Sequence, residues 1–152
     1  MLKTISAALL GLAMVAAPAR AEETTIKFTL GWKTQGSDAA FFYAKDHGYF
    51  KEEGLNVVID QGEGSGATVT RIMSGAYDAG FGDVNAIIQN AAARPQDAPV
   101  MVYMMWNQPP FAIVAKNSSG IKSIKDFEGH TLGGAQGTPT TRLLPVFVHK
   151  NG

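Results

Sequence analysis

The sequence predicts an α/β fold, a mostly parallel sheet with helices on both of its faces. Two patterns carry that expectation. Runs of strand length at residues 25–30, 57–60, 79–82, 100–105 and 111–115 alternate with amphipathic stretches of helix length, the order that parallel βαβ units require. Glycine-rich or capping turns join many of them and open directly into a helical pattern. No internal repeat or low-complexity tract interrupts the alternation.

Ahead of the first strand, Lys3 gives a short positive start, residues 5–17 (ISAALLGLAMVAA) form an apolar run, and Pro18-Ala19-Arg20-Ala21 ends in an A-x-A pattern. This is the layout of a secretory signal peptide over residues 1–21. A membrane-spanning helix needs about twenty apolar residues, more than the run offers. Cleavage would start the mature chain near Glu22. It would also remove Lys3 and Arg20 from 13 basic residues, leaving 11 against 13 acidic ones and a net charge of −2, which is no nucleic-acid footprint. The chain has no cysteine, so disulfides, thiolate catalysis, cysteine-ligated metals and a lipidated cysteine are excluded. A soluble, monomeric periplasmic protein is expected. Hydrophobic residues make up 45% of the chain, enough for a core, and the roughly 131 residues after the leader suffice for one domain rather than two.

Residues 25–30 (TIKFTL) alternate polar and apolar side chains, as a strand with one better-buried face does. A polar turn follows, carrying Trp32 and ending at Ser37 and Asp38, either of which can cap a helix over residues 39–47. Ala40, Phe41 and Ala44 form its inner face and Gly48 ends it. Tyr49, Phe50 and Leu55 belong to a compact turn expected to pack beneath the sheet.

The stretch from Asn56 to Asp83 organises the rest. It reads as a buried strand (57–60), a glycine-broken turn (61–64), a helix opening at Ser65 and a short strand (79–82). The first turn of a helix exposes unpartnered N–H groups and the positive end of the dipole, so it suits anions and hydrogen-bond acceptors. Ser65 can cap that helix with its hydroxyl, and Gly62, Gly64 and Gly66 leave room for a ligand to approach the backbone. Ala67, Val69, Ile72 and Met73 supply the buried side, and Gly75 closes the helix. Asp83 or Asn85 then caps another helix that runs to Ala93 and stops before Pro95.

Residues 100–105 (VMVYMM) form a continuous apolar run of the kind expected for a strand covered on both faces. It empties into a turn with Trp106, Asn107 and Gln108, followed by a strand at 111–115 and a hinge-like segment at 116–120. Residues 123–127 read as a short helical turn and 131–133 as a short strand. Thr138 with Pro139 is a strong helix start, and Leu143, Leu144, Phe147 and Val148 form the apolar face. Pro145 removes a backbone donor there, so a kink or a restart is expected.

Ligands of open parallel sheets sit beyond the carboxyl ends of the strands, where helix starts cluster. The candidate binding residues are therefore Trp32, Ser37, Asp38, Ser65, Gly66, Asp83, Asn85, Trp106 and Thr138, an aromatic-walled cleft with hydrogen-bonding corners. Arg71 and Lys51 read as solvated surface. Arg142 could clamp a carboxylate or sulfonate, or simply be exposed. His47, His130 and His149 lack metal-ligand spacing, and no nucleophile elbow, Walker motif or HExxH is present. No catalytic residue, cofactor or metal is expected.

The segment LGWKTQGSDAAFFYAKDHGYFKEEGLNVVIDQGEGSG resembles the opening of the periplasmic substrate-binding proteins of the NMT1/THI5-like and sulfonate/taurine/nitrate group of ABC importers. The run from Ala44 to Val57, the Ser74-Gly75-x-x-Asp78 pattern and the segment from Ile121 to Gly129 carry the likeness further. The resemblance implies a type II periplasmic-binding fold, with residues 22–115 as a first lobe and 116–152 as a hinge and the start of a truncated second lobe. It implies a two-lobed protein that closes on a small solute, aromatic or heterocyclic or bearing a sulfonate or carboxylate, and delivers it to an ABC permease without altering it. Trp32 would stack on that solute, Ser65 and Gly66 would donate to it from the first lobe, and Thr138 from the second. The alternatives are an enzyme of the pyrimidine-precursor synthase type and an inactive truncated fragment. Pyrimidine-precursor binders of the group carry histidine at the place of Asp38, where an acid either caps its helix or accepts from a ring N–H or an amine. The eukaryotic synthesising members use cysteine and histidine clusters, and this chain has no cysteine.

Overall fold

The computed structural model describes residues 22–108 and 111–152. The signal-peptide pattern at 1–21 and the Pro109-Pro110 pair lie outside the described residues. Three parallel strands form the sheet: β1 (Thr24–Thr29), β2 (Leu55–Asp60) and β3 (Ala79–Gly80), in the order β2-β1-β3. Around them run a 3-10 turn (Gly36–Asp38), α1 (Ala39–Asp46), α2 (Tyr49–Glu52), α3 (Ser65–Met73), α4 (Val84–Ala93) and, much later, α5 (Pro139–Asn151). The α/β class with a parallel sheet expected from the alternation is what the chain forms.

The register pairs Thr24 with Leu55 through to Thr29 with Asp60, and Phe28 and Thr29 with Ala79 and Gly80. Alternation then sorts the two faces. Ile26, Phe28, Leu55, Val57 and Ile59 turn toward Phe41 of α1 and Phe50 of α2, around a pocket of about 200 Å³. Phe28 and Phe41 meet with ring centroids 4.9 Å apart. On the opposite face, Gly80 makes room for Thr68 of α3 and for Thr29. Leu30, just past β1, is fully buried, with Val57, Val69 and Ala86 completing the deepest apolar set.

The buried polar groups on the α3 face are tied down. The Thr68 hydroxyl donates to the Leu30 carbonyl at 3.2 Å. Arg71 donates to Thr29 Oγ1 at 3.0 Å and to the Gln61 carbonyl at 2.9 Å, pairs with Glu63 at 3.4 Å and lies over the Tyr77 ring at 5.5 Å. It is therefore a half-buried cross-link between sheet and helix, not the solvated side chain expected. The Tyr77 hydroxyl donates to Asp60 at 3.1 Å, and that bond raises its pKa above the ordinary tyrosine value.

Several expectations are corrected. Residues 100–105, 111–115 and 131–133 are not strands, and Val100, Val102 and Tyr103 are 83%, 91% and 79% exposed. A strand exists only through its ladder, and among the described residues nothing pairs with these runs. In β3 the ladder stops at Gly80 rather than Gly82, although the Phe81 N–H still donates to the Thr29 carbonyl at 2.9 Å. Tyr49 and Ala40 are exposed instead of packed. α5 spans Pro145 without restarting. Its Leu143, Leu144 and Phe147 face Phe111, Ile113 and Phe127 across an open groove of about 610 Å³, while Val148 is exposed.

Two predictions follow from this packing. A Cβ on Gly62 would overlap the Leu30 carbonyl, whereas one on Gly36 meets nothing within 4 Å. In urea unfolding, Gly62→Ala should cost more than about 3 kcal/mol, and Gly36→Ala should stay within about 1 kcal/mol of the parent. The second concerns Asp126, which accepts from the Lys122 and Ser123 N–H groups at 2.8 and 2.7 Å, and these bonds hold its carboxyl below the usual range. A depressed carboxyl stabilises the fold above its unfolded pKa, and the benefit is lost as pH falls through the folded one. The Lys122 and Ser123 amide resonances should thus move only below about pH 4, and Asp126→Asn should abolish that movement.

Candidate functional site

The carboxyl ends of the three strands lie on one edge of the sheet, because all three run parallel. β1 leads into Gly31 and Trp32, β2 into the turn of Gly62 and Gly64, and β3 into Phe81, Gly82 and Asp83. The turn after β2 is laced to the end of β1, with the Gly62 N–H donating to the Trp32 carbonyl and the Gly64 N–H to the Gly31 carbonyl, both at 2.9 Å. α3 and α4 both open at this edge.

The helix starts are joined by Ser65. Its hydroxyl does not cap α3, where Gly64 takes the N-cap position with φ 108°. It accepts instead from the Asp83 N–H at 3.0 Å. Asp83 is the N-cap of α4, and its Oδ1 accepts from both the backbone and side-chain nitrogens of Asn85, each at 2.8 Å. Ser65 is buried, while Asp83 and Asn85 are half-buried. These three candidates therefore form one connected unit.

Trp32 stands beside it, its ring edge 3.8 Å from where a Cβ on Gly64 would lie. Trp106 packs edge-on against Phe81 at 5.2 Å, and Phe81 packs on Phe41 at 5.4 Å. An aromatic row thus leads from the exposed Trp106 to Phe28 on the sheet. Phe81 escaped the sequence reading; its position between two glycines at a strand end, in AGFGD, was the available signal.

Ser37 and Asp38 behave differently. Asp38 is 3% exposed, and its Oδ2 accepts from the Gln35 N–H at 3.0 Å inside a capping box. Of the two roles open to it, the capping one is what the geometry holds, on the 3-10 turn rather than on α1. Ser37 is exposed in the same turn. Thr138 sits at the N-cap of α5, but its hydroxyl donates back to the Ala135 carbonyl at 2.7 Å instead of accepting from the helix.

The start of α5 nevertheless reaches the cluster. The Gly137 carbonyl comes within 3.2 Å of the Cβ position on Gly64, and Arg142 lies against Gly66. Arg142 Nε donates to Gln89 Oε1 of α4 at 2.7 Å, so this arginine is half-buried and engaged where exposure was one of its two expected outcomes. Gln89 carried no signal in the sequence. Among the described residues, no group of three His, Cys, Asp or Glu is placed to hold a metal ion, and no helix is long and apolar enough to cross a membrane.

At this edge stand the rings of Trp32 and Trp106, an acid at Asp83 and a cation at Arg142, groups suited to a flat polar molecule, while neither of the two cavities described above is lined by them. Comparison with known proteins narrows the class. The chain is 28% identical over 109 residues to the 4-amino-5-hydroxymethyl-2-methylpyrimidine phosphate synthase of Schizosaccharomyces pombe, covering 71% of this chain and 31% of the relative. It is 30% identical over 110 residues to the synthase of the same name from Aspergillus parasiticus, with 71% and 31% covered, and 28% identical over 113 residues to that of Legionella pneumophila, with 73% and 34% covered. The chain spans about a third of the length of these curated relatives. Their names overturn the expectation of a protein without catalytic activity, since each relative is a synthase. No solved structure matches the chain. The model of the family described as NMT1/THI5 like matches residues 36–152, most of the chain, and the chain belongs to the NMT1/THI5-like family.

Proposed function

We propose that the strand-end turns form the ligand-holding part of an enzyme of the pyrimidine phosphate synthase kind, whose ligand is a substituted aminopyrimidine bearing an anionic group. The observation that carries this reading is the meeting of the ends of β1, β2 and β3 with the starts of α3 and α4, joined through Ser65 and Asp83. The names of the relatives support the chemical class. Each part of such a ligand finds a matching group. Trp32 and Trp106 offer ring faces. Asp83 spends Oδ1 on Asn85, and among the described residues no hydrogen bond uses its Oδ2, which suits an exocyclic amine. The first-turn amides of α3 and the guanidinium of Arg142 suit an anion.

A second reading is favoured by one observation, the export-type pattern of residues 1–21. On this reading the same strand-end turns belong to a periplasmic carrier that hands its solute to an ABC permease. Fractionation of expressing cells, with N-terminal sequencing of the product, separates the two locations.

The test of the ligand is a thermal-shift titration with 4-amino-5-hydroxymethyl-2-methylpyrimidine phosphate and with the same pyrimidine lacking phosphate. At a hundredfold excess over Kd the phosphate should stabilise the full chain by about 2.7 kcal/mol, and Trp32→Ala should weaken binding about tenfold. Failure of both compounds to move the melting transition would overturn the proposal. Accumulation of the pyrimidine phosphate in cells expressing the chain, against a vector control, tests the synthase class.

A further inference from the structure

The glycines at the α3 start are not open to solvent on the side expected to receive a ligand. A Cβ on Gly64 would meet the Gly137 carbonyl oxygen at 3.2 Å, and one on Gly66 would run into the Arg142 guanidinium, with the Gly137 oxygen 3.6 Å away. One intruding group lies in the turn that leads into α5 and the other in the opening residues of that helix. The guanidinium is held in place from a third element, because its Nε donates to Gln89 Oε1 of α4 at 2.7 Å. The bare backbone of the turn is therefore covered by the chain itself, and one side-chain hydrogen bond tethers the cover to α4.

We propose that this contact is a self-cover: Arg142, pinned by Gln89, holds residues 137–142 across the first turn of α3, and a ligand reaches that turn only when the tether opens. The inference rests on the reading of the α3 turn as a ligand surface given under Proposed function, and adds how access to it is controlled. The chemistry of the tether suits release by an anion. Gln89 is a neutral acceptor, and a neutral partner binds a guanidinium less strongly than an anionic one does. A side chain at position 66 would displace the guanidinium.

The chain has no cysteine, which allows a test without any pyrimidine. In the Ser65→Cys chain, the rate of reaction with Ellman's reagent reports access to the α3 start. Adding Gln89→Ala or Arg142→Ala should raise that rate about fivefold, the change in an opening equilibrium that one ordinary hydrogen bond makes. Gln89→Glu, which charges the tether, should lower it. Equal rates in all four chains, or a faster rate with Gln89→Glu, overturn the proposal. Should Ser65→Cys melt without cooperativity, amide hydrogen exchange over residues 139–146 in the chain with native Ser65 takes its place. Faster exchange in Gln89→Ala and Arg142→Ala with slower exchange in Gln89→Glu supports the cover, and unchanged exchange overturns it. Since neither readout uses a pyrimidine, failure of the cover and failure of the ligand reading are seen separately.

Discussion

The constraint on which the rest of the structure depends is the close crossing of two backbone segments at Leu30. The Leu30 N–H donates to the Asp60 carbonyl at 2.8 Å, and the Gly62 and Gly64 N–H groups donate to the carbonyls of Trp32 and Gly31. The Leu30 carbonyl in turn accepts from Thr68 on α3. These bonds extend the β1–β2 ladder beyond the strands, at a point where Leu30 is wholly buried and every unpaired polar group would carry the full penalty of lost hydration. Only a glycine fits at position 62, since the Leu30 carbonyl occupies the place of a side chain. The height of the β2–α3 turn is fixed by this crossing, and with it the position of Ser65 beside Asp83. The convergence of helix starts is thus a consequence of backbone packing at the end of β1, before any side chain of the site comes into play.

That dependence explains which features were legible in the sequence. The helices α1, α3 and α4 were readable because periodicity, caps and stops are local, as at Gly48, Gly75 and Pro95. The apolar run at 100–105 satisfies every local criterion for a strand and still fails, because pairing is a property of two segments and composition describes one. Ser65 shows the same limit at the scale of a single atom. Its type and position suggest an N-cap, but Gly64 takes that role and the hydroxyl serves the N-cap residue of another helix, eighteen residues further on. The partners of Arg71 and Arg142 were not legible for a related reason. A long cationic side chain on a helix is exposed by default, and only the three-dimensional neighbours, Thr29 and Gln61 for one and Gln89 for the other, turn it inward.

The polar character of the α3 face has a structural role of its own. Thr29 and Thr68 are as deeply buried as the best apolar residues, and the Arg71 guanidinium ties α3 to the end of the sheet through Thr29 and Gln61. Hydrogen bonds there have direction, so α3 is fixed in rotation about its axis as well as in distance from the sheet. A helix held only by apolar contacts could slide by a fraction of a turn without large cost. A slide of that size would carry Ser65 out of reach of the Asp83 N–H, and the link between the two helix starts would be lost.

The glycines at positions 62, 64 and 66 show why a turn of this kind does not reveal its function by composition. Each lacks a side chain for a different neighbour: the Leu30 carbonyl, the Gly137 carbonyl and the Arg142 guanidinium. A missing Cβ opens space, and the space can serve a ligand, another backbone or a side chain from a distant element. A carrier and a synthase built on this family's fold would also share the same requirement, a mouth of amides and aromatic rings shaped to one small molecule. They differ in what happens once the molecule is held, because catalysis needs interactions that strengthen on the way to the transition state and capture does not. Ground-state geometry at the strand ends is therefore common to both, and the distinction resides in groups that meet the reacting atoms. In this chain the names of the relatives, more than the shape of the turns, are what tilt the assignment toward chemistry.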